Sequence, residues 1–217
     1  MQRALLGVLI GLAVGCGPTN REPVVVSTSD QVEVPLTDSP STAVSAAPAL
    51  SAAATPELPE WKRSHNLDEL WTTQGMETLK GATRVEAFRV DPSREAKAND
   101  AWIGGYVISA TGKEQGKEFA AKLSAVLLSP TTYSFLNRKR CMFVPGVAYR
   151  FWKDQEVVEV TVCFHCDDLM VLVKDGSGKM LHYSGSAFDD ARAEMVALAR
   201  QAFPGDDEVQ SMSPKRK

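Results

Sequence analysis

The sequence predicts an α+β domain, a mostly antiparallel sheet with flanking helices, preceded by a signal peptide and a disordered linker. Three observations predict it. Residues 141–173 hold the strongest strand alternation in the chain. Around them, helical stripes and strand runs follow one another in mixed order, as in α+β domains. A Ser-, Thr-, Ala- and Pro-rich stretch separates a short apolar leader from everything that contains an aromatic residue. The segments expected are a signal peptide over 1–15, a linker over 16–58, a globular domain over 59–205 and a flexible tail over 206–217.

The leader comes first. Arg3 gives a positive start, and Ala4 to Val14 is an unbroken apolar run. About 11 residues is the length of a signal-peptide core and too short to span a bilayer. The run ends in Leu12-Ala13-Val14-Gly15-Cys16. Small residues just before a cysteine resemble the lipobox of bacterial lipoproteins. That resemblance implies a diacylglyceryl group on Cys16, cleavage before it and acylation, palmitate included, of the new amino terminus. The implied location is the exported side of a bacterial cell membrane or outer membrane. More than one acyl chain makes such an attachment stable, because each buried CH2 adds about 0.8 kcal/mol.

From Gly17 to Leu58 there are no aromatics. Such a stretch cannot bury enough apolar area to offset its ordering entropy, so it reads as a tether. Some 42 flexible residues span roughly 35 Å. Without residues 1–15 the chain loses Arg3, leaving 23 basic residues against 27 acidic ones, a net charge of −4. That balance offers nothing to draw the chain onto nucleic acid. The partners expected are the membrane, through the anchor, and an envelope protein or ligand.

In the globular part, Asn66 suits a helix cap, with Leu67, Leu70 and Trp71 on one face. A second helical turn around Met76 to Leu79 stops at Gly81. Residues 83–90 alternate as a half-buried strand ended by Asp91-Pro92. Ile103 to Ala110 reads as another strand, with Gly104-Gly105 marking a bulge or turn. Glu114 to Leu128 carries Phe119, Leu123, Val126 and Leu127 on one stripe, a helix closed by Ser129-Pro130. After the central hairpin, Asp175-Gly176-Ser177-Gly178 is a turn and Lys179 to Tyr183 the returning strand. Ser186 with Asp189 reads as the cap of a last helix, with Phe188, Ala191, Met195, Leu198 and Ala202 on its inner face.

The hairpin itself turns at Lys153-Asp154-Gln155-Glu156. Phe151 then faces Val158, and paired numbers sum to about 309. One face carries Phe143, Val147, Tyr149 and Phe151 against Val158, Val160, Val162 and Phe164, a wholly apolar set that belongs to the core. The other carries Ala148, Arg150, Trp152, Glu159, Thr161, Cys163 and His165. This register sets Cys166 opposite Phe143, with Cys141 a diagonal neighbour at the limit of disulfide reach.

Four uses of Cys141, Cys163 and Cys166 stay open. Cys141 can bridge one of the other two, closing a loop of about 25 residues for roughly 3.5 kcal/mol. All three can be buried thiols. Cys-x-x-Cys with Cys141, plus His165, His182 or Asp167, can supply four ligands to zinc or copper. Or Cys163 and Cys166 can carry thiol-redox chemistry, with His165 beside them. Pro-Gly after the first cysteine, and Cys-Phe-x-Cys closing a valine-rich strand, resemble a group of bacterial envelope proteins. The resemblance covers about half of the chain, implies a small domain and carries over no activity.

No catalytic constellation stands out. There is no Gly-x-Ser-x-Gly elbow. Gly178-Lys179 lacks the earlier glycine and the following Ser or Thr of a phosphate loop. His65, His165 and His182 are scattered. Asp167-Asp168 suits a turn and Asp189-Asp190 a helix start. Trp61, Trp71 and Trp102 read as core or rim. The expectation is a lipid-anchored binding or structural module, without catalytic residues or cofactor. The alternative is a metal-binding or thiol-redox protein built on Cys141, Cys163, Cys166 and His165.

Overall fold

A computed structural model describes residues 58–59, 62–95, 97, 99–136 and 140–215. All of them fall in one compact unit, Pro48–Lys217. The leader, Cys16 and most of the linker lie outside the described residues, as does Trp61.

Eight strands form one sheet: β1 (Lys62–Arg63), β2 (Arg84–Val90), β3 (Trp102–Ile103), β4 (Tyr106–Thr111), β5 (Val147–Lys153), β6 (Glu156–Cys163), β7 (Asp168–Lys174) and β8 (Met180–Ala187). Their order is β1-β8-β7-β6-β5-β2-β4-β3. Only β1 with β8 is parallel; every other neighbouring pair is antiparallel. The α+β expectation of a mostly antiparallel sheet therefore holds for the described residues.

The β5–β6 register is the expected one. Val147 pairs with Val162 and Phe151 with Val158, and every pair in the ladder sums to 309. The reason is the period of two: a slip of one residue would turn Tyr149, Phe151, Val158 and Val160 out of the core. All four are fully buried.

Helices cover that apolar face. α1 (Leu67–Gly81) starts at Asn66, whose side chain accepts from the Glu69 amide at 2.8 Å. The Glu69 carboxylate reaches back to the His65 amide, one residue before the cap, and to the Asn66 side-chain amide, each at 2.9 Å. Thr72 (φ 57°, ψ 163°) breaks α1 in two, so the short helix and the separate later turn read from sequence are both present. Leu70 and Trp71 are fully buried, and the Leu70 carbonyl accepts from Ser184 Oγ on β8 at 2.7 Å.

α2 (Lys117–Leu127) buries Phe119, Leu123 and Leu127, starting three residues later than expected. α3 (Arg192–Ala202) buries Met195, Val196 and Leu198. Side chains of α1, α2 and α3 join those of β5, β6 and β7 in a single core. No helix among the described residues is long and apolar enough to cross a membrane.

Four expectations need correction. Ser186 caps nothing: it is a buried residue of β8, which runs on to Ala187, and α3 starts without a side-chain cap. Of the bulge or turn expected at Gly104-Gly105 the turn is present, both glycines adopting positive φ and reversing the chain, so Ile103 belongs to β3 and the expected strand begins at Tyr106 as β4. The tail expected from 206 is ordered through a further helix, α4 (Asp207–Ser211), capped by Asp206, with Val209 fully buried against the core. Phe143 leaves the core face: β5 begins only at Val147, and Phe143 packs on Tyr106 instead, ring centroids 6.2 Å apart.

The sheet's other face is also covered. The β3–β4 hairpin folds across it, where Phe88, Val90, Ile103 and Ala148 form a second, smaller core. That is why Glu159, Thr161 and Cys163, all on this face, are buried.

Candidate functional site: a stapled loop above a buried thiol

Residues 140–146 run without regular structure into β5. Two local features hold them. Cys141 forms a disulfide with Cys166, Cα atoms 5.8 Å apart, and Cys166 lies in the four-residue reversal between β6 and β7. At the other end the Gly146 amide donates to the Val162 carbonyl at 3.2 Å, and Arg89 donates to the Gly146 carbonyl at 2.8 Å.

Cys163, the last residue of β6, is the free thiol beneath this loop, and it is fully buried. Its sulfur accepts the amide N–H of Val144 from the loop and that of Cys166 from the turn, each at 3.4 Å. The open question of the sulfurs thus resolves to one bridge and one enclosed thiol. The expected diagonal neighbours across a continued ladder are not what joins them. β6 ends at Cys163, and the reversal itself brings Cys166 to Cys141.

The remaining ligand candidates go elsewhere. His165 is exposed on the reversal. His182 contacts the Leu70 carbonyl at 3.2 Å on the helix-covered face. The Asp167 carboxylate is buried and ion-paired with Arg192, which also donates to the Phe164 carbonyl at 2.6 Å. Asp168 pairs with Arg63 at 3.3 Å. Among the described residues, no group of three or more His, Cys, Asp or Glu side chains is arranged to hold a metal ion.

The loop shows apolar side chains to solvent. Met142 is 79% exposed and Val144 42%, while Phe143 between them turns inward onto Tyr106. Tyr106 belongs to a polarizable patch on this side of the sheet. Tyr183 donates its hydroxyl to Met170 Sδ at 3.0 Å. Burial raises the Tyr106 phenol, with the Cys163 sulfur adding to the effect, and burial pushes Tyr183 up to about 12.

Beside the patch lies a buried ionic cluster that sequence reasoning did not single out. Glu159 Oε1 accepts from Arg150 Nε at 3.0 Å, and Oε2 meets Lys174 Nζ and the Gly104 amide, both at 2.9 Å. Arg150 also donates to the Trp102 carbonyl at 2.9 Å. The cluster ties the β3–β4 hairpin to the sheet and leaves each carboxylate oxygen satisfied, so it reads as architecture. The signal was available, because a register summing to 309 sets Arg150 opposite Glu159.

Two surface clefts lie away from the cysteines. One, about 290 Å³, is lined by residues that include Val126, Thr132 and Glu194. The other, about 460 Å³, lies between β4 and the end of α3, where Arg89 is already paired with Asp206 at 3.1 Å.

In comparisons with protein-family models, with curated proteins and with solved structures, nothing matches this chain.

Proposed function

We propose that this chain is a lipid-anchored protein of the bacterial envelope whose folded part serves as a binding or structural module. The reading is supported by the order of parts. An apolar leader ends at Cys16, a tether poor in core-forming residues follows, and then comes the folded domain. The single observation that carries it furthest is the Cys141–Cys166 bridge. Disulfides persist in exported proteins and are rare where thiols are kept reduced. A bridge in the body and a lipobox-like cysteine at the head point to the same compartment.

The test is intact mass spectrometry of the chain expressed with its leader in a bacterium. The expected mature chain begins at Cys16 and carries diacylglyceryl and an acylated amino group. Cys16→Ser should then move the protein from the membrane fraction to the soluble exported fraction. An unmodified Cys16 in a chain that keeps its leader would overturn the reading.

One observation favours a second reading, thiol-redox chemistry. The free Cys163 sits within contact of the residue that carries the bridge. A metal-binding variant of that reading has no comparable support, because the bridge occupies two of its four proposed ligands.

A further inference from the structure

We propose that Cys163 is an exchanging thiol that moves the disulfide from Cys141–Cys166 to Cys163–Cys166, releasing Cys141 and the loop behind it. The inference concerns this internal step and does not depend on lipid anchoring.

Three features carry it. The first is proximity. Cys163 Sγ lies 3.4 Å from the amide nitrogen of Cys166, so the free sulfur sits against the residue whose own sulfur is bridged. The second is reach in the product. Cys163 closes the β6–β7 ladder opposite Asp168, and Cys166 lies in the reversal at 164–167, three residues on, with its amide already on the Cys163 sulfur. A bridge needs Cα atoms roughly 4.4–6.8 Å apart, a separation that three residues span where the chain doubles back. The third is asymmetry of support. Cys163 and Cys166 belong to the end of the β6–β7 ladder, while Cys141 sits on a loop without regular structure. Of the three, Cys141 is the sulfur that can leave without disturbing the sheet.

The step balances without an outside oxidant. Cys163 loses its proton to solvent and its thiolate attacks Cys166 Sγ. The Cys163–Cys166 bond forms as the Cys141–Cys166 bond breaks, and Cys141 departs as a thiolate that takes up a proton. One disulfide and one thiol are present before and after. What changes is location: a buried thiol becomes one on a half-buried loop residue beside exposed Met142 and Val144. Local opening of residues 140–146 must accompany the attack, because Cys163 is enclosed in the starting state and the Val144 amide rests on its sulfur. That opening needs little rearrangement of secondary structure, since the loop has none.

The sequence provides a clean readout. Trypsin can cut after Arg140, Arg150, Lys153 and Lys174, so Cys141 falls on peptide 141–150, while Cys163 and Cys166 share peptide 154–174. The full chain in a Cys16→Ser background is held folded at pH 8 without reductant, quenched in acid, alkylated after unfolding and digested. Before incubation the two peptides are linked and the label is on Cys163. The expected result is that with time the label moves to Cys141, peptide 141–150 separates, and peptide 154–174 gains an internal bridge. If the peptides stay linked and the label stays on Cys163 throughout, the proposal is overturned. A second arm uses Cys141→Ala with oxidised glutathione as electron acceptor. The internal bridge in 154–174 is expected, and label on both Cys163 and Cys166 counts against it. Should that variant fail to fold, the unsubstituted chain still decides.

Discussion

Arg150 and Glu159 stand directly opposite one another on β5 and β6, Arg150 Nε 3.0 Å from Glu159 Oε1, and together they pin a hairpin that neither strand belongs to. Glu159 takes the Gly104 amide while Arg150 donates to the Trp102 carbonyl, so β3 and the first residue of the turn after it are held by one ion pair. The Glu159 side chain is 1% exposed. Removing one partner of such a pair leaves an uncompensated buried charge, which costs about 3–5 kcal/mol. Glu159→Ala is expected to lower unfolding free energy by that amount in urea titration. A loss below about 1 kcal/mol would show that water already screens Arg150 and Lys174 in the folded chain.

Gly104 supplies the other half of that contact. Its φ is +56°, and a Cβ built on it would sit 2.4 Å from Thr161 Cγ2. Gly104→Ala therefore meets both backbone strain and a clash with a fully buried side chain. The expected cost is about 1–3 kcal/mol from the overpacking alone. Gly104→Ala combined with Thr161→Ser, which removes the opposing methyl, should recover part of it. If the double variant is no more stable than the single, the strain lies in the backbone and not in the contact.

These two residues also show where the sequence was legible. Alternation fixed the β5–β6 register to the residue, because slipping it would expose four large apolar side chains. Asn66 and its stripe located α1 for a similar reason: a cap and a 3.6-residue period are local signals. What the sequence hid was the covering of the second face. Arg150, Glu159, Thr161 and Cys163 look like solvent residues until a distant hairpin is known to lie on them. Long-range burial of this kind leaves no periodic trace. Ser186 misled for the opposite reason, since Ser followed three places on by an acid is a local pattern that the β7–β8 ladder overrode. The bridge was half legible: Cys141 was among the candidates, but choosing Cys166 over Cys163 needed the reversal at 164–167.

All four tyrosines of the chain lie in the described domain, and burial raises every one. Tyr133 and Tyr149 are pushed above the ordinary alkaline range, and Tyr183 to about 12. The sign follows from the charge. A buried phenol favours its neutral, protonated form, so the folded chain keeps protons that the unfolded chain loses near pH 10. Stability from these groups is fully present below pH 10 and falls as pH rises through the folded values. Phenolate absorbance followed with circular dichroism should show little ionisation near pH 10, then ionisation together with unfolding. Full ionisation of folded protein near pH 10 would place the tyrosines in solvent.

The Cys141–Cys166 bridge joins residues 25 apart and encloses the whole β5–β6 hairpin. In the chain-entropy model such a loop stabilises by about 3.5 kcal/mol, mostly by restricting the unfolded chain. Cys141→Ala with Cys166→Ala should lower the urea midpoint accordingly. Reduction of the unsubstituted chain should do the same. A bridge moved to Cys163–Cys166 encloses only Phe164 and His165, so it constrains the unfolded chain far less. The two bridged forms therefore differ in their resistance to unfolding, with the Cys141–Cys166 form the more resistant. Locking the chain in the Cys163–Cys166 form through Cys141→Ala should give a midpoint close to that of the double variant. A midpoint close to the unsubstituted chain would mean that the loop's own contacts, the Val144 and Gly146 amides among them, hold residues 140–146 without the staple.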